Sequence, residues 1–189
     1  MNDATLEQKS TDELNVRLSI ALNTGAPFCF LGIALCNLPG HLEVAILCGV
    51  AGLVMYSFVE YGVHRWVLHG LDVTGHWNHH RNPAEPHALL FSTGLTVHTL
   101  ILFFLSWVAG SSIAIWTVFG SALGYAFFLQ LHDFQHGDSV LSRRLWPVLH
   151  RHHMLHHQAS SFHGVEPKNC CNFGVVTMIW DRVFGTYRA

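Results

Sequence analysis

Four long apolar stretches dominate the chain, and each is close to the roughly 20 residues that a helix needs to cross a bilayer. They cover residues 20–38, 44–63, 88–109 and 113–131. Short polar segments separate the first stretch from the second and the third from the fourth, so each pair is predicted to form a helical hairpin. The pattern therefore predicts an all-α, polytopic membrane protein with four transmembrane helices.

The polar segments predict the rest of the organisation. Near the N-terminus, Ser10 and Glu13 have the spacing of a capping box, which favours an amphipathic helix on the membrane surface over a frayed polar tail. The segments after the second and fourth stretches are predicted to form a histidine-rich helical cap. We expect a single domain, 1–189, made of an arm 1–19, a first hairpin 20–63, a cap segment 64–87, a second hairpin 88–131 and a second cap segment 132–189.

Composition and charge agree with a membrane location. Half of the 189 residues are hydrophobic and the net charge is −2, so there is no basic field for nucleic acid. All ten Lys and Arg residues lie in the arm and the two cap segments. By the positive-inside rule, both termini and the cap are predicted to be cytoplasmic, in a bacterial inner membrane or the endoplasmic reticulum.

Histidines are concentrated in the same places, because only His41 and His98 of the 16 lie away from the predicted cytoplasmic side. Ten of them form four clusters near the ends of the predicted spans. In three clusters the spacings are three or four residues, which places the imidazoles on one face of a helix. The clusters are His64 and His69; His76, His79 and His80; His132 and His136; and His153, His156 and His157.

The spacing of His64 and His69 does not fit an ideal α-helix, on which five residues rotate by about 140°. Two explanations remain open at this point. Either the helix loosens near Gly70, or the two side chains reach different metals.

Imidazole binds iron, copper and zinc, and one first-row ion takes about three to six ligands. Ten imidazoles therefore predict a dinuclear site in which the ions share a bridging ligand or keep a position open. The Glu-x-x-His motif of carboxylate-bridged diiron bundles is absent from the predicted spans. Nearby polar side chains are instead predicted to hold the imidazole tautomers and offset the metal charge. These are Glu60, Asp133, Asn172 and Asp181.

Several other residues have a structural interpretation that we prefer. His150 and His152 are interpreted as surface imidazoles rather than ligands, and His98 as one end of an interhelical hydrogen bond. Small residues in the second hairpin, such as Gly120 and Gly124, are interpreted as helix contacts rather than as the wall of a lipid tunnel.

The boxes HX4H, HX2HH, HX3H and HX2HH, followed by the closing "WDRVFGTY", resemble the fatty acid hydroxylase superfamily over about 60–187. This superfamily includes sterol desaturases, fatty acid 2-hydroxylases and carotenoid hydroxylases. Only six residues separate the first two boxes, which is closer to the carotenoid and bacterial sterol-desaturase-like members than to the fatty acid 2-hydroxylases.

The resemblance implies a membrane oxidoreductase that hydroxylates or desaturates a lipid C–H bond with O2 at a non-haem centre of two iron ions. Zinc would replace iron readily in purified protein. Because no fused haem domain is recognisable, electrons are expected from a separate ferredoxin, or from a b-type cytochrome with its reductase. The substrate is expected to come from the bilayer.

Two alternatives from other classes stay open. A metal transporter or store would also gather histidines, but it should place them at mid-membrane, where only His98 lies. A zinc-stapled scaffold without activity would keep the same boxes. Within the superfamily, a carotenoid or sterol hydroxylase or desaturase is the alternative to an acyl-chain hydroxylase.

Overall fold

The structure is a computed structural model that describes residues 3–71, 76–83, 91–136, 144, 146–160 and 170–189, with side chains described outside 3–13, 91–95 and 160. Within these ranges it is helical and contains no β-strand, as the sequence predicts. The helices are α1 Asp3–Leu35, α2 Leu42–Gly62, a π-helix Val63–Leu68, α3 His69–Leu71, α4 His76–Arg81, α5 Phe91–Ala109, α6 Ser111–His136, α7 Pro147–Ser160 and α8 Ile179–Val183.

Three helical segments are long and apolar enough to cross a membrane: Leu14–Leu35, Leu42–Leu71 and Ser111–His136. They coincide with the first, second and fourth predicted spans. Thr96–Ala109 within α5 is apolar but shorter, and part of the predicted third span lies outside the described residues. Three candidate spans are thus found among the described residues, and the count of four stays a prediction.

Helix α1 runs without a break from Asp3 to Leu35, so the predicted arm 1–19 is continuous with the first apolar stretch. Its orientation on the membrane surface stays a prediction. Asn23, a polar residue in that stretch, is buried and donates a hydrogen bond from Nδ2 to the Ser19 carbonyl oxygen at 2.8 Å. This bond satisfies the amide within the helix and explains how the helix tolerates it.

The chain divides into two compact units. Unit 1 consists of Met1–Tyr56 and Pro86–Leu129, and unit 2 consists of Ser57–Glu85 and Gln130–Ala189. The prediction of one domain concerns whether these units fold cooperatively, and it stays a prediction. Every box histidine belongs to unit 2.

Unit 1 has a core of small and aromatic side chains from α1, α2 and α6, including Phe30, Ala45 and Trp116. Within it, α2 and α6 approach so closely that two glycines leave no room for a side chain. A Cβ on Gly52 would lie 2.0 Å from the Thr117 carbonyl oxygen, and one on Gly120 would lie 2.0 Å from the Gly49 carbonyl oxygen. The interpretation of Gly120 as a helix contact is therefore confirmed.

Gly120→Ala should lower the stability of the protein by about 1–3 kcal/mol, because the new methyl group meets main-chain atoms that no rotamer change can move. Gly32→Ala in α1 is the matched control, since nothing lies within 4 Å of its added Cβ. Thermal unfolding in detergent measures both. Equal melting temperatures for the two variants would contradict the close helix approach.

Candidate metal centre

The ten box histidines form two neighbouring groups within unit 2, and the structure brings all of them together as predicted. Site A has five imidazoles and site B has four; within each site, one nitrogen from every ring lies within 4.8 Å of the others. The tenth, His153, adjoins site B, with its Nε2 2.9 Å from His136 Nε2. Site A is His64, His69, His76, His80 and His156; site B is His79, His132, His136 and His157.

The π-helix resolves the HX4H spacing. A π-helix closes hydrogen bonds between residues five apart, which returns those residues to nearly the same face. The His69 amide donates to the His64 carbonyl oxygen, and the two ring centroids are 5.1 Å apart. The explanation that the helix loosens is thus confirmed, and the loosened segment is the π-helix Val63–Leu68, just before His69. Both side chains reach site A.

Distances within site A match those between ligands of one ion. His76 Nε2 lies 3.1 Å from His64 Nε2, 3.2 Å from His69 Nε2 and 3.0 Å from His80 Nε2. His156 Nε2 lies 3.1 Å from His69 Nε2. Metal–imidazole bonds of about 2.0–2.1 Å at right angles would separate two nitrogens by roughly 3.0 Å. The donor set therefore fits a transition-metal ion.

Main-chain carbonyls orient two of these rings. His64 Nδ1 lies 2.6 Å from the Phe173 oxygen, and His156 Nδ1 lies 2.7 Å from the Cys171 oxygen. Because a carbonyl oxygen only accepts, each Nδ1 carries the proton and each Nε2 presents a lone pair to site A. A single proton on His76 Nε2 could satisfy only one of its three nitrogen neighbours. Lone pairs would still face one another, which is the arrangement that a cation stabilises.

Site B is built chiefly from one turn at the end of α6 and one turn of α7. His132 Nε2 and His136 Nε2 are 3.3 Å apart. The ring of His157 lies 4.5 Å from that of His136, and the ring of His79 lies 4.8 Å from that of His132, between centroids. Residues four apart share a site, as His132 and His136 do, whereas His79 lies in a different site from His76 and His80.

Burial favours the neutral form of most of these imidazoles. Loss of solvation, with a further contribution from neighbouring imidazoles, lowers the pKa of His80 from 6.5 to about 3. The same causes lower the pKa of His76, His153, His156 and His157. Neutral imidazole is the form that binds metals, so these side chains could bind cations at neutral pH without first losing a proton.

Asp181 supports the main-chain segment that carries the two carbonyls, residues 171–174, which we call the carbonyl segment. Its Oδ1 accepts hydrogen bonds from Phe173 N at 2.7 Å and Thr186 Oγ1 at 2.7 Å. Its Oδ2 accepts from Gly174 N at 2.8 Å and His152 Nε2 at 3.1 Å. Burial alone would raise the pKa of this carboxyl, but these hydrogen bonds outweigh burial and lower it. Asp181 is therefore an anion held by four donors.

Asn172 and Glu60 hold the same segment. Asn172 has a φ of 59°, a conformation that asparagine tolerates better than most residues. Its Nδ2 donates to the His152 and Arg188 carbonyl oxygens, and its Oδ1 accepts from Arg188 N at 2.7 Å. Glu60 Oε1 accepts from Val175 N at 3.1 Å. Both side chains thus fix main chain next to the carbonyls that orient His64 and His156.

The predicted hydrogen-bond partners of the imidazoles are only partly brought to the sites. Glu60, Asn172 and Asp181 act on main chain that carries the carbonyls, whereas Asp133 is exposed and is not brought to the histidines. Position 133 follows His132 by about 100° around the helix, so it points away.

Sequence reasoning missed the carbonyls of Cys171 and Phe173, because a main-chain oxygen leaves no mark in residue type. The interpretation of His152 as a surface imidazole is wrong, because this residue is buried, bonds Asp181 and stacks on Tyr187 with centroids 5.7 Å apart. His98 lies in unit 1, with its ring 6.1 Å from that of Phe30. His87 and His163, the remaining histidines of the predicted cytoplasmic side, lie outside the described residues.

An integral membrane protein with two adjacent groups of histidines that could hold metal ions is the class that these features define. The chain matches the fatty acid hydroxylase family model over residues 49–186 and belongs to that family. It is 26% identical to the dihydroceramide fatty acyl 2-hydroxylase of Arabidopsis thaliana, covering 80% of this chain and 63% of that protein. With the ceramide very long chain fatty acid hydroxylase of Saccharomyces cerevisiae the identity is 27%, covering 83% of this chain and 41% of that one.

Two further similarities complete the comparison. The β-carotene hydroxylase of a Paracoccus species is 27% identical, covering 67% of this chain and 80% of that protein. A solved structure of full-length scs7p, in which only the hydroxylase domain is visible, superimposes with a TM-score of 0.68 at 22% identity, covering 87% of this chain and 63% of that one. This second likeness shows the fold. The chain thus spans less than two thirds of the length of both hydroxylases named first.

Acidification should destabilise the metal-depleted protein. Histidines with a lowered pKa, such as His80, take up protons in the unfolded chain near pH 6.5 but not in the folded one until about pH 3. The unfolded state therefore binds more protons in this window, and each such histidine removes up to about 1.4 kcal/mol of stability per pH unit as pH falls. Thermal unfolding of the chelator-treated protein between pH 8 and pH 5 measures this. A melting temperature that does not change would contradict neutral, buried imidazoles.

Asp181→Asn should weaken metal retention. The amide keeps one acceptor oxygen and turns an NH2 group towards two of the four donors, at a cost of about 1–3 kcal/mol for each donor left without an acceptor. The matched control is Asp133→Asn on the exposed side of α6. Metal per chain, measured by mass spectrometry after dialysis against a weak chelator, should fall in the first variant and not in the second. Equal retention would remove Asp181 from the support of the sites.

Proposed function

We propose that this chain is a membrane-bound lipid hydroxylase that uses O2, external electrons and a dinuclear non-haem iron centre. The observation that carries the proposal is the convergence of nine imidazoles into two adjacent sites, with His153 beside the second, in a chain of the fatty acid hydroxylase family. The known activities named above belong to the relatives, and their transfer to this chain is part of the proposal.

The residues of the two sites have separate roles in this proposal. The imidazoles of site A would hold one ion and those of site B, with His153, the other. When bound, iron supplies the redox chemistry that makes O2 reactive towards an unactivated C–H bond. The chain favours neutral imidazoles by burying all of them except the partly exposed His136, and it fixes two of them through the carbonyls of Cys171 and Phe173.

The placement of the ligands suits a substrate dissolved in lipid. His64 and His69 lie within the candidate span Leu42–Leu71, and His132 and His136 end the candidate span Ser111–His136. Together with the distribution of Lys and Arg, this supports a centre at the cytoplasmic membrane boundary, with both termini on the same side. A separate ferredoxin or b-type cytochrome could deliver electrons there from the cytosol.

An acyl chain of a sphingolipid or related lipid is the first substrate class that we propose, because two of the relatives named above act on ceramide acyl chains by their names. A carotenoid is the second candidate. It is favoured by the β-carotene hydroxylase, of which this chain covers 80% against 63% and 41% of the two ceramide enzymes. Desaturation remains an alternative outcome at the same site.

Lipid mass spectrometry of cells expressing the wild type should reveal a lipid with one added oxygen that is absent with His156→Ala. Removal of His156 takes away a site A nitrogen whose tautomer the chain fixes. His41→Ala is the control, because His41 is exposed and distant in sequence from the boxes, and it should leave the product unchanged. The host must contain ceramides and carotenoids, so that the product reports the substrate class.

Other outcomes separate the alternatives. A product with two fewer hydrogens and no added oxygen would indicate desaturation. If detergent-purified wild type, loaded with iron and given a chemical reductant, consumes no O2 with either lipid class, and no product forms in cells, the zinc-stapled scaffold becomes the better account.

A further inference from the structure

The short helix α8 has two faces with opposite surroundings. Asp181, in its middle, is fully buried and supports the carbonyl segment. Ile179 and Val183, one turn apart, are 61% and 64% exposed, and Phe184, just after the helix, is 40% exposed. A five-residue helix with such a strongly apolar open face needs a partner for that face.

Aromatic rings connect α8 to the end of α2 and to the π-helix. The Trp180 ring lies 4.9 Å from that of Phe58, and the Phe184 ring lies 5.9 Å from that of Trp66, between centroids. Trp180 Nε1 donates to Ser57 Oγ at 3.0 Å, so the indole N–H is satisfied without water. The exposed side chains therefore form one apolar surface, which we call the α8 patch: Phe58, Trp66, Ile179, Val183 and Phe184.

The α8 patch is continuous with the exposed apolar face of a candidate membrane span. Phe58 and Trp66 belong to the candidate span Leu42–Leu71, and so do their exposed neighbours Val59 and Val63. A helix that crosses a bilayer exposes apolar side chains to acyl chains, and tryptophan is enriched where those chains meet the headgroups. The occupant of the rest of the patch is then lipid as well.

We propose that α8 lies in the membrane interface, with Ile179, Val183 and Phe184 in contact with lipid acyl chains. Arg182, on the same helix, is exposed, and its guanidinium lies 4.8 Å from the centre of the Tyr187 ring. Arginine between apolar side chains is typical of the headgroup level, where its charge can reach phosphates. The helix is thus an interfacial anchor near the C-terminus.

The anchor has a consequence for the metal centre. The helix that contacts lipid through Ile179 and Val183 also carries Asp181, which holds Phe173 N and Gly174 N. Contact with the bilayer therefore stabilises the segment whose carbonyls orient His64 and His156. This inference rests on the membrane location and on the geometry of unit 2, and it does not require the proposed hydroxylase activity.

Spin labelling of the full-length protein in vesicles of phosphatidylcholine and phosphatidylglycerol tests the anchor. Single cysteines at Val183→Cys and Ile179→Cys carry a nitroxide in a background where Cys29, Cys36 and Cys48 are replaced by Ala, leaving the buried Cys170 and Cys171. Leu47→Cys in α2 serves as the lipid reference and Arg151→Cys in α7 as the water reference, since both residues are exposed. Collision rates with O2 and with a water-soluble nickel chelate are measured at each site.

We expect labels at 179 and 183 to resemble Leu47→Cys, with frequent O2 collisions and rare nickel collisions, at a depth of roughly 5–10 Å below the phosphates. Nickel collisions as frequent as at Arg151→Cys would place α8 in water and overturn the proposal. Rare collisions with both reagents would mean that a second copy or another protein covers the patch, which would overturn it equally. The second labelled position guards against a local disturbance at the first.

Discussion

Nitrogen lone pairs that face one another repel, and unit 2 holds five imidazoles with their nitrogens within 4.8 Å at site A. Isolated in water, the rings would turn away or take up protons. Here burial opposes protonation, and hydrogen bonds from Nδ1 to main-chain oxygens prevent two of the rings from turning. A positive charge between the nitrogens would relieve this repulsion, and much of unit 2 can be understood as the means of holding the rings in this arrangement. At site B the nitrogens of four imidazoles likewise lie within 4.8 Å of one another.

The parts that maintain this arrangement come from distant points of the chain. Glu60, at the end of α2, bonds Val175 N, 115 residues later. Tyr61 Oη and Thr186 Oγ1 lie 3.0 Å apart across 125 residues. The carboxylate of Asp181 joins α7, through His152, to the carbonyl segment. Such long-range contacts close only when the helices have packed, so the ligand geometry is a product of the whole unit. The sites are preorganised because rigid helices and a fixed main-chain segment, rather than mobile loops, present the imidazoles.

Much of this could be predicted from the sequence where a local rule governs the position. Spacings of four residues predict a shared helix face, and His76 with His80 and His132 with His136 obey that rule, whereas His79 and His156 each reach the other site from their neighbours. The five-residue spacing of His64 and His69 predicts a departure from an ideal α-helix, but only the backbone shows that the departure is a π-helix. Asp133 follows His132 in the sequence, but it lies about 100° further around the helix and is exposed. The carbonyls of Cys171 and Phe173 could not be found at all, since every residue has one and tertiary packing alone decides which are used.

That dependence on main-chain oxygens has a consequence for divergence. An oxygen of Cys171 or Phe173 would remain in place if evolution exchanged either side chain for another of similar bulk, since the contact to the imidazole involves no side-chain atom. The residues around such a centre can therefore drift while the ring orientations persist. A search that scores amino-acid identity would rate two such proteins as remote, although their imidazoles were held by the same atoms.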